Sequence, residues 1–279
     1  MKKSLFLVLA CFNLAAYAQT KTTCCSMSST EKFAMLSSNE TFVSSHADPL
    51  PFNFNPVKGK MITYKTNDGG ESAAFVVKAD KPTDNWIIMV HEWWGLNDYI
   101  KQEAEKLQGE VGNANVIAID LYDGHVASVA ADAQKLMGEV KQERAVSVIK
   151  GAIAYTGAQA KITTIGWCFG GGWSLQTTLM AGKQAVGCVM YYGMPETDQN
   201  KLKTLNADVL GIFAAKDKWI NHEVVNKFMA DMKAVNKKLT VNWYDADHAF
   251  ANPSNPNFDK VSADAAHKIA LVFLKARIK

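Results

Sequence analysis

The sequence predicts an α/β fold in which about eight strands form a mostly parallel sheet with helices on both faces. Three observations carry this. Eight short apolar runs recur between turn residues, segments of helical periodicity separate most of them, and a glycine-rich turn follows the fifth run.

The runs are MITYKT (61–66), SAAFVVKA (72–79), NWIIMVH (85–91), NVIAID (115–120), KITTIGW (161–167), AVGCVMYY (185–192), ADVLGIFAA (207–215) and LTVNWYDA (239–246). Only the turn NDGGE separates the first two, which reads as a hairpin. Helical patterns fill 97–111, most of 127–158, 172–181, 197–205, 221–236 and 262–278, the last with Ser262 as its N-cap signal. The 279 residues contain no internal repeat, no linker marking a second domain, and no G-x-G-x-x-G or Walker-type loop.

The chain divides into 1–18, 19–57 and 58–279. Lys2 and Lys3, an apolar stretch from Ser4 to Leu14 and the small-x-small site Ala16-Tyr17-Ala18 read as an export signal cleaved before Gln19. The expected location is therefore periplasmic or extracellular, and lipid attachment at Cys11 is the alternative processing. Residues 19–57, rich in Ser, Thr, Asn and Pro, read as an extension packed on the main domain, with one short helix near Glu31–Leu36.

Without Lys2 and Lys3, the 30 Lys+Arg residues fall to 28 against 27 Asp+Glu, and no basic run stands out. That balance argues against nucleic acid or an anionic membrane surface as partner. Four cysteines remain after the signal: Cys24, Cys25, Cys168 and Cys188. They are too sparse for a disulfide scaffold. Vicinal Cys24-Cys25 leave open a redox or ligand-binding protein as the alternative to an enzyme, and Cys188 reads as a buried strand residue.

Cys168 ends the fifth run within G-x-C-x-G, the cysteine form of a nucleophile elbow. A nucleophile on so sharp a strand-to-helix turn needs glycine two residues to either side, and the helix that follows favours thiolate over thiol. The remaining parts follow in elbow order. Asp217 comes after the seventh run and His248 after the eighth, as acid and general base. His46 lies in the extension, His222 and His267 fall within helical patterns, and His91 and His125 precede the nucleophile, so each fits less well. Asp245 and Asp247 share the His248 loop, which leaves Asp217 the better-placed acid. In VHEWWGLND (90–98), the backbone N–H of Trp93 pairs with that of Phe169 as oxyanion donors. His91-Glu92 does not form a zinc-protease motif, because Gly95 stands where a second histidine is needed. No metal or other cofactor is expected.

HEWWGLND, AIDLY, GWCFGGG, FAAKDKWI and DADHAF together resemble the dienelactone hydrolase family of α/β hydrolases over residues 58–279. The resemblance implies a Cys168–His248–Asp217 triad acting on a small-molecule ester or lactone. It also implies that Glu92 holds the resting cysteine as a thiol and gives way when substrate binds. Dienelactone-cleaving members carry two arginines that grip the substrate carboxylate, and Gly124 and Asn252 stand in those places here. The family's founding substrate is therefore not expected. Trp94, Tyr122 and Asn252 are the expected substrate contacts, with Trp93, Trp167, Trp173 and Trp219 also near the motif loops.

Overall fold

The computed structural model describes residues 27–278. The proposed export signal, Cys11, Cys24 and Cys25 lie outside them.

The extension opens with α1 (Ser29–Ala34), a 3-10 turn (Met35–Ser38) and α2 (Glu40–Ser44), two helical pieces more than the sequence suggested. Local capping explains the breaks. Ser28 and Glu31 close a reciprocal capping box on α1, and Asn39 accepts from the Phe42 N–H to restart the helix as α2. The chain then runs extended to β1. Along the way the Phe54 N–H donates to Asp98, and the N–H groups of Val57, Lys58 and Gly59 converge on Glu105.

The domain continues through β1 (Lys60–Lys65), β2 (Glu71–Val77), β3 (Asn85–Val90), α3 (Asp98–Val111), β4 (Asn115–Ile119), α4 (Ala130–Glu139), α5 (Gln142–Thr156) and β5 (Lys161–Trp167). It ends with α6 (Phe169–Ala181), β6 (Ala185–Tyr191), α7 (Gln199–Lys203), β7 (Asp208–Ala214), α8 (His222–Ala234), β8 (Leu239–Tyr244) and α9 (Lys260–Lys275). All eight predicted strands are present among the described residues, in the spatial order β1-β2-β4-β3-β5-β6-β7-β8. β2 runs antiparallel to both β1 and β4, and every other pairing is parallel. Helices α3 and α9 pack together, as do α5 and α6, and the two pairs cover the sheet. Strands β3 and β4 are buried at every position, as parallel strands enclosed by helices on both faces must be.

The helical pattern within 127–158 is two helices, α4 and α5, α7 and α8 are each shorter than expected, and two helix starts differ for a clear local reason. Helix α9 starts at Lys260, capped by Asp259, whose carboxylate accepts from the N–H groups of Val261 and Ser262 and from the Ser262 hydroxyl. The expected cap thus serves inside the first turn, because a carboxylate can accept all three donors. Helix α6 starts at Phe169, three residues earlier than the glycines suggested. The reason is steric. A Cβ at Gly166 would lie 2.1 Å from the Gly170 carbonyl oxygen, and one at Gly170 would lie 2.3 Å from the His91 carbonyl oxygen. The helix rests directly on the backbone at the ends of β5 and β3, where only glycine fits.

Gly170→Ala is expected to destabilise the protein by about 1–3 kcal/mol or more, since rigid backbone would have to yield. Urea denaturation reads this, and an unchanged midpoint would contradict the close approach.

Candidate active site

The carboxyl ends of β3, β5, β7 and β8 supply the site, and those of β4 and β6 support it. β5 delivers Cys168, which sits at φ 55° and ψ −120°, a strained conformation for a non-glycine residue. Its backbone is held from both sides, by Cys168 N–H donating to the Tyr191 carbonyl (3.0 Å) and Gly171 N–H donating to the Cys168 carbonyl (3.0 Å). β7 leads to Asp217 and β8 to His248. His248 Nδ1 lies 2.5 Å from Asp217 Oδ2, and His248 Nε2 lies 3.3 Å from Cys168 Sγ. The other Asp217 oxygen accepts from the N–H groups of Trp219 (2.8 Å) and Ile220 (2.9 Å). Asp217 and His248 are thus joined to Cys168 in one hydrogen-bonded line.

β3 leads to His91, Glu92 and Trp93. His91 ties this loop to the next strand end: Nδ1 donates to the Glu92 carbonyl (2.5 Å) and Nε2 accepts from the Leu121 N–H (3.0 Å). Burial keeps the His91 ring neutral, as that bonding pattern requires. The loop so fixed aims the Trp93 N–H at Cys168 Sγ, beside the Phe169 N–H at the start of α6. The expected donor pair therefore converges on the sulfur.

Burial pushes the Cys168 thiol well above its ordinary range, the Glu92 carboxyl adds to the effect wherever it is ionised, and the two N–H donors oppose it without prevailing. The sequence-based expectation of a helix-stabilised thiolate does not hold at rest, because desolvation outweighs the helix terminus. Asp217 behaves oppositely. Burial raises it, but the interaction with His248 and the two backbone donors outweigh burial and keep it ionised. Glu92 is raised to about 8 by burial. Its Oε2 accepts from Asn252 Nδ2, and its Oε1 has no hydrogen-bond partner among the described residues. Glu92 is thus bonded to Asn252 rather than to the thiol, whose partner here is His248.

The sequence matches the profile of the dienelactone hydrolase family over residues 72–278. The chain belongs to this family. Among similar proteins, carboxymethylenebutenolidase 1 of Cupriavidus pinatubonensis is 24% identical over 228 residues, covering 76% of this chain and 95% of that protein. The carboxymethylenebutenolidase of a Pseudomonas species is also 24% identical, covering 77% of this chain and 94% of the relative. A dienelactone hydrolase-like promiscuous phosphotriesterase from metagenomic libraries superposes with a TM-score of 0.66 at 17% identity, covering 79% of this chain and 99% of its own. An esterase of Pyrococcus furiosus gives 0.62 at 16% identity, covering 84% and 100%. The chain is a hydrolase of the dienelactone hydrolase family with the α/β-hydrolase fold.

The three expected substrate contacts in this family member separate. Asn252 lines a cavity of about 260 Å³ together with Glu92, Trp167, Tyr191, Phe258 and His267. Trp94 is buried against Trp93 and does not line the cavity, because its ring fills the core beneath the loop. The tryptophan that faces the cavity is Trp167, next to Cys168 in sequence. Tyr122 packs on His91 and Phe169, and its buried hydroxyl, which interacts electrostatically with Cys168, has no hydrogen-bond partner among the described residues.

Sequence reasoning missed three residues. Tyr192, at φ 34°, follows β6 and packs its ring 5.1 Å from that of His248. The doubled tyrosine before Gly193 at a strand end was the available signal. The others, Phe42 and His46, come from the extension. Phe42 is fully buried against Phe33, Trp93, Trp219 and His248. The His46 ring lies 4.5 Å from Trp93 and 5.4 Å from His248. Burial, reinforced by His248, pushes His46 down to about 3, so this ring is neutral. No local motif marks either residue.

Because Glu92 loses its proton at higher pH in the folded state, the folded chain holds more protons than the unfolded one between about pH 4.5 and 8, and stability falls with rising pH there. Glu92→Gln removes this loss. Its stability relative to the parent is expected to climb with pH, by at most about 1.4 kcal/mol per pH unit. Urea denaturation across the window checks this, and parallel pH curves would refute it.

Proposed function

We propose that this chain is an exported hydrolase that cleaves a small ester or lactone through a thioacyl intermediate on Cys168. The observation that carries the reading is the 3.3 Å approach of His248 Nε2 to Cys168 Sγ, with Asp217 behind the ring. In this reading His248 takes the thiol proton as Sγ attacks the carbonyl carbon. The carbonyl oxygen becomes anionic against the N–H groups of Trp93 and Phe169. Collapse breaks the C–O bond, and His248 returns the proton to the departing alkoxide. Water, deprotonated by His248, then splits the thioester and restores the thiol.

Glu92 contributes by staying protonated near neutral pH, which keeps a second negative charge away from the forming thiolate and oxyanion. Asn252 in place of a family arginine, and a cavity wall whose lysine, Lys106, is paired with Glu103 and which also carries Asp264, favour an uncharged acyl group over a carboxylate. Export rests on Lys2, Lys3, the apolar stretch and Ala16-Tyr17-Ala18.

Cys168→Ala is expected to reduce turnover of a short-chain aryl ester at least about a thousandfold, with His248→Ala comparable because the residues act as a unit. Brief exposure to substrate should add one acyl mass to Cys168 in the parent. Parental rates in Cys168→Ala would sink the assignment. Mass spectrometry of the exported protein is expected to find Gln19 at its N-terminus, and retention of Met1 would contradict export by cleavage.

A further inference from the structure

The extension brings a third ligating side chain to the nucleophile. His46, Cys168 and His248 are all buried, and one ligand atom from each lies within 4.8 Å of the others. The two imidazoles are prepared alike. His46 Nδ1 donates to the Phe42 carbonyl at 2.7 Å, and His248 Nδ1 donates to Asp217 at 2.5 Å. Each ring is thereby fixed in the tautomer that leaves a lone pair on Nε2. This is the outer support that metal-binding histidines use, a carboxylate behind one ring and a backbone carbonyl behind the other. The His46 Nε2 is buried and has no hydrogen-bond partner among the described residues. An imidazole acceptor left unsatisfied beside a thiol is costly unless something else takes its lone pair.

We infer that His46, Cys168 and His248 form a two-nitrogen, one-sulfur site for a closed-shell thiolate-seeking cation, zinc(II) or copper(I). Binding forms one metal–sulfur and two metal–nitrogen bonds and breaks the Cys168 S–H bond, releasing that proton to solvent. No electron is transferred. Three protein ligands leave a position open, as zinc sites of this size commonly do, and the softness of thiolate disfavours magnesium and calcium. A bound ion occupies the sulfur and nitrogen lone pairs that hydrolysis needs, so it would hold the enzyme silent and its thiol protected from oxidation. The inference rests on the three side chains themselves, so it survives or fails independently of what the enzyme hydrolyses.

The test uses the chain from Gln19 onward carrying Cys24→Ser and Cys25→Ser, which leaves Cys168 and Cys188 as its only thiols; Cys188 is fully buried against the hydroxyl groups of Thr164, Ser174 and Thr178. Zn²⁺ titrated against a chromophoric chelator is expected to load one equivalent per chain, and His46→Gln is expected to weaken it at least tenfold. Cu⁺ under reducing conditions forms a second arm, and the ion that outcompetes its chelator more effectively identifies the preferred occupant. X-ray absorption of the loaded protein with His46 intact is expected to show one sulfur at about 2.3 Å and two imidazole nitrogens at about 2.0–2.1 Å. That measurement stands even where His46→Gln folds poorly. Failure of both ions to load, parental affinity in a folded His46→Gln, or a spectrum without sulfur or with a single imidazole overturns the inference.

Discussion

The contact on which the site depends is the approach of helix α6 to the backbone at the ends of β5 and β3. With Gly166 and Gly170 stripped of Cβ, the helix begins one residue past Cys168, and the cysteine absorbs the reversal at φ 55°. Three consequences follow from this placement. The sulfur stands clear of the sheet edge, the Phe169 N–H is left unpaired by the helix and aims at it, and the His91 carbonyl that the helix touches fixes the neighbouring loop. His91 then locks that loop to the end of β4, which brings the Trp93 N–H in from the opposite side. Glycines that look permissive in the sequence are, in the fold, the condition for two donors meeting at one atom.

Burial then decides the charges. Of the acidic groups around the sulfur, only Asp217 has enough partners to stay ionised: a histidine and two backbone donors. Glu92 has one amide partner and an unpaired oxygen, so desolvation favours its neutral form. The thiol has two N–H donors but faces burial and two carboxyl neighbours, and it too remains neutral. The resting site is therefore poised with its proton still on sulfur, and His248, fixed by Asp217, is the group positioned to move it. A thiol that is ionised only when its proton has a destination is also less exposed to oxidation, which depends on thiolate character.

Most of this was legible in the sequence, because it is encoded locally. Apolar runs bounded by turns gave the strands, and chemistry-bearing residues just past four of those runs gave Cys168, Asp217, His248, Glu92 and the two oxyanion donors. Such residues share an edge in any parallel sheet. What the sequence withheld depends on distant packing. Trp94 and Trp167 are indistinguishable by motif, yet one ring points into the core and the other to the cavity. His46 looked irrelevant because it sits in a polar extension more than 100 residues before the nucleophile. No short-range pattern could report that α2 folds back over the triad.

The extension makes the two sides of the triad unequal. On one side Phe42 and His46 close against Trp93, Trp219 and His248, an aromatic cluster with edge-on ring contacts. Burying the Phe42 ring alone contributes roughly 1.5–3 kcal/mol, enough to offset the ordering of one or two residues of backbone. The rest of the anchoring comes from polar ties at Glu105, Asp98 and Ala130 along the way. On the other side, Glu92, Asn252 and Trp167 face the cavity between α3 and α9. In the proposed reaction a substrate would enter from the cavity side, past the Glu92–Asn252 pair, because the extension covers the other side. The same segment that covers this side of His248 also places an unpaired imidazole nitrogen, His46 Nε2, close to the Cys168 sulfur.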